Sequence, residues 1–203
     1  MSENNPNIFN MGNLFTVASE SKNERITFGA YNGSLNFIVN RSDGVKFSSK
    51  RVSPEYYMCI RDGVAEVMKG IPGAVFPIVQ NKWDNNNKKY MVDSVFTVGK
   101  DTNGIFYLEF KEGDFAPVKF PFMGSKALEF NGGTSDSERS HRAFRAFNHF
   151  INVVWPNAAF FTRNNLQTYK NGNNNNSNNN YSKQSNSGYS GNSGSMASED
   201  EIY

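Results

Sequence analysis

The chain has 203 residues, enough for one domain or at most two, with 21 Lys and Arg against 19 Asp and Glu and a mean hydropathy of -0.61. Its 18 Phe and 9 Tyr exclude a wholly disordered chain, and no run approaches the roughly 18 apolar residues that a membrane-spanning helix needs. The single Cys59 can form neither an internal disulfide nor a multi-cysteine zinc site, and residues 1–10 lack the basic start and apolar run of a signal peptide, so a reducing, cytoplasmic compartment is expected.

From Leu14 the pattern has a period of two. Leu14–Glu20, Arg25–Tyr31, Ser34–Arg41 and Val45–Arg51 alternate apolar and polar residues, with Asn32-Gly33 and Ser42-Asp43-Gly44 as turns. A helix follows: Ser53 caps it, Pro54 fits its first turn, and Gly70 with Pro72 ends it. Tyr57, Ile60, Val64, Val67 and Met68 fall on its apolar face, and Cys59 reads as a small buried side chain in mid-helix. The order then repeats. Phe76–Trp83, Lys89–Lys100, Ile105–Lys111 and Ala116–Phe122 read as strands. Ser135 and Glu138 have the spacing of a capping box for a second helix, which Pro156 should end by Trp155. Its predicted apolar face is Ala143, Phe147, Phe150, Ile151 and Val154.

The expected fold is therefore α+β: two four-stranded antiparallel sheets, each followed by a helix, with one face of each sheet covered and the other open. Alternation puts Ile26, Phe28 and Ala30 opposite Arg25, Thr27 and Tyr31, and puts Phe106, Leu108 and Phe110 opposite Tyr107, Glu109 and Lys111. Lys119 lies opposite Val118, Phe120 and Phe122 in the same way.

No catalytic constellation emerges. The sequence has no phosphate loop, no G-x-S-x-G and no H-E-x-x-H, and its two histidines, His141 and His149, sit about 80° apart around the second helix. The chain reads as non-enzymatic, with no cofactor and no metal. Binding residues are more evident. Trp83 lies among Lys82, Lys88 and Lys89 in KWDNNNKKY, a hairpin that either closes over a nucleic-acid strand or folds its indole back on the sheet edge. Lys46, Lys50 and Arg51, with Phe47 among them, form a second basic run, and Arg25, Tyr31, Tyr107 and Lys111 share the open sheet faces, Tyr90 being a further aromatic candidate. Arg139, Arg142 and Arg145 make a basic stripe on the second helix.

Composition changes after Lys170. Of the 33 residues from Asn171 to Tyr203, 22 are Asn, Ser or Gly, a flexible tether that cannot bury enough apolar surface to fold. The division is a binding domain at 1–170 with a net charge of +4, a linker at 171–197 and an acidic tip at 198–203. The tip places Glu199, Asp200 and Glu201 before Ile202 and Tyr203 at the free carboxylate, which suits docking in a partner's pocket. The same acids can compete with phosphate for the basic body.

A basic body, a Gly/Asn/Ser linker and an acidic tip closed by an aromatic residue resemble bacterial and phage single-stranded DNA-binding proteins. Tyr stands where that family usually has Phe, without a preceding Pro. The strand count of the body, and the stretch Phe106-Tyr107-Leu108-Glu109-Phe110-Lys111-Glu112, resemble the Whirly and PUR-type single-stranded nucleic-acid-binding domains. The alternative is the OB barrel of the familiar family members, with inserted helices. The resemblance implies a protein that coats single-stranded DNA with little sequence preference in replication, recombination and repair, and recruits enzymes of those processes through the tip. It implies the cytoplasm of a bacterium or phage-infected host. RNA-binding regulation and a virion scaffold are the rival readings. The expected partners are single-stranded DNA, with RNA as the alternative, replication and recombination proteins, and a second copy in a homo-oligomer; no membrane partner is expected.

Overall fold

In the computed structural model, residues 10–42, 48–129 and 134–163 are described. Among these residues the elements run β1 (Asn10–Ala18), β2 (Arg25–Tyr31), β3 (Ser34–Asn40), β4 (Ser48–Val52), α1 (Pro54–Lys69), β5 (Val75–Asp84), β6 (Lys89–Lys100), β7 (Phe106–Glu112), β8 (Val118–Pro121) and α2 (Asp136–His149). The strands form two antiparallel meanders, β1-β2-β3-β4 (sheet 1) and β5-β6-β7-β8 (sheet 2), so the α+β expectation of two four-stranded antiparallel sheets, each followed by a helix, holds.

Local chemistry explains the boundaries. Asn32 and Gly33 both have positive φ, 47° and 78°, the requirement of a two-residue turn that continues the strand twist. Ser53 Oγ accepts from the Tyr56 amide at 3.1 Å to start α1. Ser135 and Glu138 close a reciprocal capping box at the start of α2.

In sheet 1 the core face carries Ile26, Phe28, Ala30, Phe37, Val39 and Val52; in sheet 2 it carries Ile78, Phe96, Val98, Leu108, Phe110 and Phe120. These faces share one hydrophobic cluster. Phe37 of sheet 1 meets Phe96 and Phe110 of sheet 2 with ring centroids 5.4 and 5.6 Å apart. Helix α1 covers the sheet that comes after it rather than the one it follows. Helix α1 lies along β5 and β6, where a Cβ on Gly63 would stand 2.7 Å from the Phe76 ring. Phe147 and Phe150 reach Phe15 and Phe28 of sheet 1, while Phe144 stacks on Phe106 of sheet 2. The second helix thus bridges the sheets. The outer faces of both sheets stay uncovered by any described element.

The helical course does not stop at Trp155. Five π-helical residues, Phe150–Val154, follow α2, and helix continues over 155–163. Pro156 ends an α-helix because it lacks an amide hydrogen and its ring collides with the carbonyl four residues back. The wider π turn accommodates it. The Trp155 amide bonds to Phe150 O, and the Ile151 carbonyl, whose π-type donor would be residue 156, instead accepts from the Tyr57 hydroxyl at 2.9 Å. The extension docks through Thr162, whose Oγ1 accepts from the Gly33 amide at 3.0 Å. Three further expectations are corrected. Phe144 joins the buried face of α2, and Trp155 is buried while Val154, expected there, is exposed, because the π turn rotates the face beyond Phe150. Tyr56 rather than Tyr57 is the buried tyrosine of α1. Cys59 is exposed, since it lies off the Tyr56–Ile60–Gly63 stripe.

Trp155 is fully buried, packs edge-on against Phe28 at 5.1 Å, and donates from Nε1 to the Gly29 carbonyl at 2.6 Å. That carbonyl belongs to the stretch where the β1–β2 register slips between Met11 and Phe15. Trp155→Phe keeps an aromatic ring but orphans a buried carbonyl and leaves a void. It is expected to cost about 2–4 kcal/mol, read as a lower urea midpoint at unchanged m. A loss within about 0.5 kcal/mol would show the hydrogen bond to be dispensable.

Candidate nucleic-acid interface

The outer face of sheet 2 carries two exposed aromatic rings, Trp83 and Tyr90. The sheet-like pairing of β5 with β6 runs past the end of β7, so Asn81–Asp84 and Lys89–Val92 project as a two-stranded ribbon. A bulge at Asp93, between the pairs Gln80↔Ser94 and Asn81↔Val92, marks where the ribbon leaves the sheet. Trp83 lies on β5, as the predicted strand Phe76–Trp83 has it, directly across from Tyr90. The turn itself is 85–88, pinned by Asp84 Oδ1 accepting from the Asn86 amide at 2.8 Å. Those bonds, with Asn87 Nδ2 on Oδ2 the foremost, hold the Asp84 carboxyl below the usual aspartate range.

Trp83 and Tyr90 meet edge to face at 5.1 Å and remain 49% and 70% exposed. Val79 and Val92 are exposed on the same face, whose order along β5 is Pro77, Val79, Asn81, Trp83. Farther in lie Tyr107 and Lys111 of β7. Gly99 lets the Tyr107 ring lie flat: a Cβ there would come 2.3 Å from the ring. Lys119 Nζ covers the ring's other side, 4.0 Å from the centroid. Burial pushes the Tyr107 hydroxyl up from its ordinary value. Tyr107 is thus a floor already capped by a cation, and Trp83 and Tyr90 are the open rings. Lys88, at φ 49°, stands in the turn beyond them, and Lys89 begins β6 on the face opposite Tyr90; with Lys111 these lysines have no carboxylate partner among the described residues.

Lys50 is differently placed. It pairs across strands with core-facing Phe37, so it points inward, and its ammonium sits 2.8 Å from Asp93 Oδ2 and 2.6 Å from Glu112 Oε1 with 14% of the side chain exposed. Burial alone would lower the Lys50 pKa, but the hydrogen bonds its ammonium donates to Asp93 and Glu112 outweigh it and raise it. Lys82 reaches the other Asp93 oxygen at 3.3 Å. Lys50 is therefore an inter-sheet tie at the base of the ribbon, with its charge already engaged. Arg51, its neighbour, takes the opposite face and is exposed beside Tyr31, Asn36 and Ser49. Arg25 occupies the far end of β2, six residues from Tyr31, and lines a cleft of about 630 Å³ between β1, β8 and α2. Lys46 and the tip residues Glu199, Asp200, Glu201, Ile202 and Tyr203 lie outside the described residues.

The structure thus brings Trp83, Tyr107 and Lys111 to one side of sheet 2, with Tyr90 beside Trp83 and Lys88 in the adjoining turn, while Lys89, next to Tyr90 on β6, takes the opposite side. It brings Tyr31 and Arg51 to the corresponding side of sheet 1. Arg139 of the helix stripe is held by Asp136 and the Thr134 carbonyl. Among the described residues no group of three or more His, Cys, Asp or Glu could hold a metal, and no helix is long and apolar enough to cross a membrane. No protein-family model, curated protein or solved structure matches the chain.

The hydrogen bond from Lys50, reinforced by Lys82, holds the Asp93 carboxyl below the usual aspartate range. A depressed folded pKa stabilises the fold in full above the unfolded value of about 3.9 and loses that contribution as pH falls through the folded value. Unfolding free energies measured from pH 6 down to 2 should therefore converge for the parent and Asp93→Asn at the acid end. A gap that stays constant across that range would remove Asp93 from the acid response.

Proposed function

We propose that this chain binds single-stranded DNA with little sequence preference, using the outer faces of both sheets and the β5–β6 ribbon. The observation that carries the reading is the Trp83–Tyr90 pair, open to solvent on a projecting ribbon, with Lys88 in the adjoining turn and Lys111 on the same face of the sheet. Exposed aromatic rings on a basic surface suit unpaired bases, because every base has a face to stack and every nucleotide a phosphate to neutralise. A duplex hides its base faces and gains little from such rings. Buried aromatics need no function; a solvated indole and phenol at the end of an arm do.

Two open four-stranded meanders, with α1 on the sheet that comes after it and α2 bridging both, favour a Whirly- or PUR-like body over a five-stranded OB barrel. In this reading the chain is not an enzyme and carries no cofactor. The linker at 171–197 tethers the tip at 198–203, which recruits replication, recombination or repair proteins by docking Ile202 and Tyr203 while basic residues hold the acids. The protein works wherever single strands are exposed, in the cytoplasm of a bacterium or a phage-infected host.

Fluorescence anisotropy with labelled oligo-dT, oligo-U and a matched duplex across a salt series tests this. Binding to dT should exceed binding to duplex and weaken as salt rises. Trp83→Ala should weaken dT binding by about 1–3 kcal/mol. Ending the chain at residue 170 should preserve or tighten it while abolishing partner capture. Preference for oligo-U would make RNA the ligand, and no binding to any of the three would overturn the reading.

A further inference from the structure

Two concavities flank Arg51. One, of about 390 Å³, opens on the outer face of sheet 1 and is lined by Tyr31, Asn36 and Ser49. The other, of about 520 Å³, lies where β3 and β4 meet the start of α1 and the helical extension, against Leu35, Tyr57 and Pro156. Arg51 and Ser34 line both, so the guanidinium stands between them on an edge strand of the sheet.

The first concavity is built for a flat polar group. Asn36 is the cross-strand partner of Arg51, and Tyr31 that of Ser34, so Tyr31, Asn36 and Arg51 lie on one face across three adjacent strands. Tyr31 is 48% exposed, and none of these three side chains has a hydrogen-bond partner among the described residues. The second concavity is apolar and rigid. The Tyr57 hydroxyl is committed to the Ile151 carbonyl, and its ring meets Trp155 at 6.1 Å, so that wall is fixed before any ligand arrives. Each volume falls in the range of small-molecule sites.

We infer that Arg51 is the centre of a dinucleotide subsite. One base stacks on Tyr31 with its edge toward the Asn36 amide, the linking phosphate sits on the Arg51 guanidinium, and the next base enters the cleft against Tyr57 and Pro156. The inference rests on the reading that the ligand is a single nucleic-acid strand, and it adds a second contact region distinct from the ribbon. An amide offers one donor and one acceptor side by side, the complement of a base edge, so this step discriminates among bases while the ribbon does not. A guanidinium matches phosphate with two parallel hydrogen bonds, which a lysine cannot do.

The test uses the full chain and oligo-dT carrying photoreactive 5-iodouracil, with anisotropy titrations of Arg51→Ala, Tyr31→Ala and Asn36→Ala. All three residues are at the surface, and an unchanged thermal midpoint confirms folding. Arg51→Ala should lower the salt slope of dT binding by about 0.7, one phosphate of a single strand. Tyr31→Ala should weaken binding about five- to a hundredfold with the slope unchanged. Asn36→Ala should change the order of affinity among dA, dC, dG and dT homopolymers. Crosslinks should appear at Tyr31 or Tyr57. Crosslinks confined to Trp83 and Tyr90, with the three variants binding as the parent does, would overturn this subsite and leave the single-strand reading standing. A parent chain that binds no oligomer would overturn both.

Discussion

Everything outside the core depends on how the phenylalanines are spent inside it. Phe37 joins the two sheets by touching Phe96 and Phe110, and Phe147 and Phe150 lock α2 against Phe15 and Phe28. With a fully buried aromatic side chain holding some 150–250 Å² away from water, these contacts dominate the energetics of a domain this size. They also decide orientation. Both sheets turn one face toward the shared cluster, so the other face of each is left to water. Tyr31, Trp83 and Tyr90, like Phe115, Phe160 and Phe161, remain outside as exceptions to the rule that large aromatics are buried, and the first three stand on the open sheet faces.

The ribbon's placement follows from a charge cluster, not from the hairpin alone. Lys50 comes from sheet 1, Asp93 and Glu112 from sheet 2, and Lys82 from the ribbon itself. A half-buried ammonium shared by two carboxylates is costly to break once formed, because removing either sign leaves the other desolvated. Asp93 sits at the bulge where sheet pairing ends, so the tie holds the ribbon's root while its tip stays free. The tip keeps its own order through Asp84, which organises the turn that carries Lys88.

Much of this was legible in the residues. Alternation located the strands and the faces of β2, β7 and β8, and Asn32-Gly33, Ser53 and the Ser135/Glu138 box marked turns and caps because each satisfies a specific backbone requirement. The failures are equally physical. Pro156 stops an α-helix, yet the π turn admits it, and that turn depends on a hydroxyl from Tyr57, far away in sequence. Lys50 and Arg51 both looked like phosphate ligands, but neighbours on a strand take opposite faces and only one can be outward. Which sheet each helix covers is a long-range matter on which local periodicity is silent. Alternation ended the predicted strand at Trp83, and the structure carries the pairing one residue farther, to Asp84, before the Asn-rich turn.

The chain has two tryptophans in opposite settings, Trp83 49% exposed and Trp155 fully buried. Intrinsic fluorescence therefore reports on the ribbon directly. Titrating the full chain with oligo-dT should quench the solvent-exposed tryptophan emission saturably, with the quench reversed by salt and absent from Trp83→Phe. Saturable dT binding that leaves the emission of the parent unchanged would contradict the claim that bases stack on the ribbon.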